Sequence, residues 1–128
     1  MNGDIFFSEV HSDYQLWNNE LHFYHEELII LQKDLDELIA RNTSLQLSDE
    51  AFLYQNQFVR MDDHLVILLH NLKSAEASMA ILARTGTPVD LSTMAVRDHW
   101  QLGQKITGFK KDFESLKHKY KMFQLKLY

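Results

Sequence analysis

The chain has 128 residues, 45% of them hydrophobic and 24% charged, with a formal net charge of −5. That is one domain with enough apolar material for a core, and it is not the composition of a disordered segment. With no Cys, a disulfide scaffold, a thiolate metal site and a cysteine nucleophile are excluded.

The acidic start, Met1 to Val10, lacks a basic segment and is not expected to be a signal peptide. From there a 4-3 apolar spacing runs through Tyr14, Trp17, Leu21, Tyr24, Leu28, Leu31, Leu35 and Leu38. Strands alternate every two residues and cannot produce this period. Ser12 and Asp13 stand where an N-cap belongs, and Asn42-Thr43-Ser44 competes with the helical backbone, so the first helix is expected over 13–41. The second series is Ala51, Tyr54, Phe58, Met61, Leu65, Leu68, Leu72, Ala75, Met79 and Leu82. Ser48 is its expected cap, and Gly86 followed by Pro88 is a common stop signal, giving a helix over 49–85. The third series is Ala95, His99, Leu102, Ile106, Phe109, Phe113, Leu116, Tyr120, Phe123 and Leu127, capped by Asp90 or Ser92, for a helix over 91–126.

Short connections force long helices to fold back on one another. The expected fold is all-α: an elongated antiparallel three-helix bundle, up-down-up, as a single coiled-coil-like domain over 1–128. The alternative is a four-helix bundle, with the third helix broken near Gly103–Gly108 or a short extra helix around Ile5–Val10. No apolar run approaches the ~18–20 residues of a membrane span.

The first two helices carry apolar residues beyond the seam. With Leu21 as a heptad a position, Leu16, Phe23 and Ile30 fall at c, with Ile29 beside them. On the second helix, with Leu65 as a, Phe52, Val59, Val66 and Ala80 fall at b, and Leu53, Ile67 and Ile81 at c. A wide core stripe explains part of this. Large side chains in such number also suit a covered surface, so Leu16, Phe23, Ile30, Phe52, Val59, Val66 and Ile67 are the expected interface, on the outer face of the hairpin. The expected partner is a second copy, as a homodimer, or another helical protein. Phe23→Glu or Val66→Glu is expected to separate the copies.

Charge divides unevenly. Residues 105–128 hold seven Lys against Asp112 and Glu114, a net of +5, while the first 104 residues carry −10. A basic helix end can grip an anionic partner. The preferred expectation is structural: these Lys pair with Asp34, Asp36, Glu37, Asp49 and Glu50, setting register, and the acidic remainder argues against nucleic acid and membrane.

No zinc motif, Gly-rich phosphate loop or nucleophile elbow is present, and the Glu-x-x-His pairs of di-iron bundles are missing. The protein is therefore expected to be non-enzymatic, with no cofactor. His22-x-x-His25, Asp34-x-x-Glu37 and Asp62-Asp63 read as surface. His99 alone occupies a seam position. Its level is that of Ala75, Glu76, Tyr14 and Trp17, so it is expected either to pair with Glu76 or to form part of a small metal or ligand site with His11, Asp13 and Glu76.

The run Trp17-x-x-Glu20-Leu21-x-Phe23-Tyr24-x-Glu26-x-Leu28, continuing to Asn42-Thr43, resembles a group of short uncharacterised bacterial helical proteins. Phe52-x-x-Gln55-Asn56-Gln57-Phe58 and Leu68-x-His70 belong to the same pattern. The resemblance covers the first helix and half of the second, implies a bacterial, cytoplasmic setting, and carries no activity or cofactor. The architecture also resembles spectrin-type repeats, with a Trp in the first and third helices, which speaks to fold alone.

Overall fold

The computed structural model describes the backbone of residues 2–41, 45–85 and 89–127, and the side chains of 7–41, 49–85 and 96–127. It contains three helices: α1 (Asn2–Arg41), α2 (Leu45–Thr85) and α3 (Val89–Leu125). The 4-3 spacing explains their packing. Leu21, Leu28, Leu35, Phe58, Leu65, Leu72, Ile106, Phe109 and Phe113 are buried in one continuous core, which among the described residues holds no buried polar residue. Alternate seam positions such as Trp17, Tyr24, Tyr54, Met61 and Leu82 are half-buried against it.

Polar contacts fix the directions. His25–Asp62 and Asp36–Gln55 run oppositely along α1 and α2, so these helices are antiparallel. Asp13–His99, Glu20–Lys110, Glu27–Lys117 and Asp34–Gln124 climb in the same sense, so α1 and α3 are parallel. The bundle is up-down-up.

Several boundaries differ from expectation. α1 begins at Asn2, not at 13, so Ser12 and Asp13 lie inside the helix and cap nothing. The reason is legible afterwards: Phe7 and Val10 extend the 4-3 spacing backwards, and Val10 is only 2% exposed. A separate helix around Ile5–Val10 is thereby replaced by one continuous rod. α2 begins at Leu45, which places Ser48 within its first turn. α3 begins at Val89, with Asp90 and Ser92 in its first turn, and runs unbroken past Gly103 and Gly108, so the four-helix alternative falls. Asn42-Thr43-Ser44, Gly86-Thr87-Pro88 and the side chain of Ala95 lie outside the described residues. Leu127 lies past the end of α3, in a turn closed by bonds from Lys126 N to Phe123 O (3.2 Å) and Leu127 N to Gln124 O (3.0 Å), and is surface rather than seam.

One expectation about composition also changes. Among the described residues Asp49–Thr85 is long and apolar enough to cross a membrane, by length and composition only, and 22% of its most apolar window is buried. That apolarity is the sum of a core stripe and two outward rows on one helix.

Candidate functional site

The α1–α3 seam carries a ladder with a seven-residue repeat. Glu20 accepts a bond from Lys110, and Glu27 one from Lys117 at 2.9 Å. Asp34 accepts from the Tyr120 hydroxyl at 2.6 Å and from Gln124. In heptad terms α1 presents g positions to the e positions of α3, the usual flanking pair of parallel helices. These partners correct the expected charge pairing. Among the described residues only Lys110 and Lys117 find acids, and those acids are Glu20 and Glu27. Asp34 is taken by Tyr120 and Gln124, Asp36 by Gln55 at 3.3 Å, and Glu37 by Arg41 at 3.9 Å. Lys105, Lys111, Lys119, Lys121 and Lys126 make no ion pair with another described residue.

His99 lies at the expected level but has another partner. Its Nε2 meets Asp13 Oδ2 at 2.9 Å, not Glu76. Its ring stacks on Trp17 (4.8 Å, 25°) and stands edge-on to Tyr14 (5.2 Å, 63°). Gly103 makes room, since a Cβ there would stand 3.0 Å from the Trp17 ring. Nδ1 of His99 is buried with no partner. Burial, and then the charges of Asp98, Glu76 and Asp13, push the Tyr14 hydroxyl up to about 12. His11 is exposed, and among the described residues no group of three or more His, Asp or Glu stands close enough to hold a metal ion. The expected set His99, Glu76 and His11 is not assembled. What joins His99 to α1 is aromatic contact with Trp17 and Tyr14 and the bond to Asp13.

The expected interface residues are all on the surface: Leu16, Phe23, Ile30, Phe52, Val59, Val66 and Ile67 are each more than half exposed. The structure does not bring them onto one face. Leu16, Phe23 and Ile30 each lie three residues after one acid of the α1–α3 ladder and four before the next, so that row borders α3. Val59 lies between Gln55, which bonds to Asp36, and Asp62, which stands 3.4 Å from His25, so Phe52, Val59 and Val66 border the α1–α2 groove. Leu53 lines a groove with Met122 of α3, and Ile67, two heptads along at the same heptad position, borders α3 as well. Ile29 of α1, 50% exposed, joins the Phe52 row.

The α1–α2 face itself has two halves. Away from the α1–α2 turn it opens into a groove of about 800 Å³, whose walls are Gln15, Asn18, Asn19 and His22 opposite His70, Lys73 and Glu76. Toward the turn a smaller groove of about 340 Å³ lies beside Val59. No family model matches the chain, and neither does any curated protein or solved structure. The resemblance to short bacterial helical proteins therefore rests on the quoted residues alone.

Proposed function

We propose that this protein is a non-enzymatic interaction module that associates with a second copy of itself through the turn-proximal half of the α1–α2 face. One observation carries this reading. Ile29, Phe52, Val59 and Val66 are 50–59% exposed, with heptad spacing on α2, while Gln55 beside that row is already bonded to Asp36 within the chain. Such a row leaves much apolar area to cover. A two-fold pair is the most economical cover, because each copy supplies the same row.

Light scattering at tens of micromolar is expected to report a dimer. Val59→Glu with Val66→Glu is expected to give a monomer of unchanged helicity by circular dichroism. Phe23→Glu is expected to leave the dimer intact, since Phe23 belongs to the α1–α3 face. A monomeric wild-type chain would end the proposal.

A further inference from the structure

The lower end of α3 offers cations that the fold does not use. Lys119 and Lys126 have no ion-pair partner among the described residues, and both line a groove of about 380 Å³ between α2 and α3. The floor of that groove is Tyr54 and Phe123, and Leu53 and Met122 form its apolar sides. His118 adds a third basic group, and Glu50 and Gln57 complete the lining. Leu53, Met122 and neighbouring Leu125 are 61%, 50% and 66% exposed. Lys111 lies one heptad before His118 and two before Leu125, so it continues the same outward strip of α3.

Charge repulsion with apolar exposure is a costly pairing for a surface that meets only water, but it matches one kind of partner closely. We propose that this end of the α2–α3 face docks on an anionic lipid surface, with Leu53, Met122 and Leu125 entering the headgroup layer and Lys119 and Lys126 meeting phosphates. Amphipathic helices bind such interfaces by combining buried apolar area with attraction to anionic lipid. Nucleic acid would use the lysines but gives no reason for three large aliphatic side chains among them. The α1–α2 face proposed for self-association is separate, so the two readings stand or fall independently.

The test is co-sedimentation of the full chain with vesicles of phosphatidylcholine alone or phosphatidylcholine mixed with phosphatidylglycerol. Pelleting is expected with the anionic vesicles only, weakening as salt rises. Lys119→Gln with Lys126→Gln is expected to lower partition about thirty-fold, each basic group near an anionic surface contributing about five-fold. Met122→Ser with Leu125→Ser is expected to lower it at every salt concentration. Lys73→Gln, on the α1–α2 face, is expected to change nothing, and circular dichroism is expected to show full helicity in all variants. Equal partition into both vesicles, or none into the anionic ones, would overturn the proposal. So would retention on heparin without vesicle binding, which would assign the lysines to a soluble polyanion.

Discussion

The two ends of the α1–α3 seam repeat one arrangement with different parts. At one end the His99 ring of α3 reaches Asp13 of α1; three heptads along, the Tyr120 ring reaches Asp34 in the same way. The later end is complete. Tyr120 is fully buried among Tyr54, Phe58 and Phe123, and Gln124 gives Asp34 a second donor. At the His99 end the residue equivalent to Gln124 is Gly103, the place of the second donor is taken by the Trp17 ring, and one imidazole nitrogen is left without a partner. A seam can thus be closed either by hydrogen bonds or by aromatic stacking, and at the His99 end one ring nitrogen stays unsatisfied, as does Glu27 Oε2 on the ladder between the two ends.

Four measurements sharpen that contrast, in falling order of effect. Alkaline titration acts most broadly. Burial raises Tyr14 to about 12 from 10.0, and burial shifts Tyr24 and Tyr54 upward as well, with Glu114 and Glu50 adding to it respectively. A group held protonated by the fold stabilises it fully below its unfolded value and progressively less above, so stability is expected to fall as pH rises from 10 toward 12. Denaturant midpoints against pH would show it, with the tyrosinate absorbance of Tyr14 appearing only toward the top of that range. Next, Tyr120→Phe keeps the ring and removes a bond to a carboxylate, an expected loss of about 1–2 kcal/mol in urea unfolding. The glycines come third. A Cβ added at Gly108 would meet nothing within 4 Å, so Gly108→Ala is expected to gain about 1 kcal/mol. Gly103→Ala has the same propensity gain opposed by the Trp17 ring at 3.0 Å and is expected to fall short of it in thermal melts. Last, His99→Leu gives up the Asp13 bond but also removes the unpartnered nitrogen. Its net effect is expected within about 1 kcal/mol of zero, on the stabilising side; a loss of several kcal/mol would mean that His99 organises that end.

The core was legible residue by residue, because a 4-3 spacing depends only on the pitch of one helix. Leu21, Phe58, Leu65, Ile106 and Phe109 lie where their spacing placed them. The start of α1 was misread because Ser12 and Asp13 imitate a cap, although Phe7 and Val10 already continued the pattern. The outward rows were legible as outward and not as faces. Whether Phe23 borders α2 or α3 depends on which neighbour stands on the g side of α1, a property of bundle handedness that no single helix encodes. The His99 level was legible for the same reason as the core, whereas its partner depended on the parallel alignment of α1 with α3.

A repeating ladder has a weakness that its regularity creates. Sliding α3 by seven residues would still set Asp13 against Lys110 and Glu20 against Lys117, so the charges alone accept more than one alignment. Trp17 does not: its ring needs the bare backbone of Gly103, and one step along it would meet the Lys110 side chain instead. The indole therefore works as a key cut for a single notch, selecting one alignment among those that the two lysine rungs alone would accept.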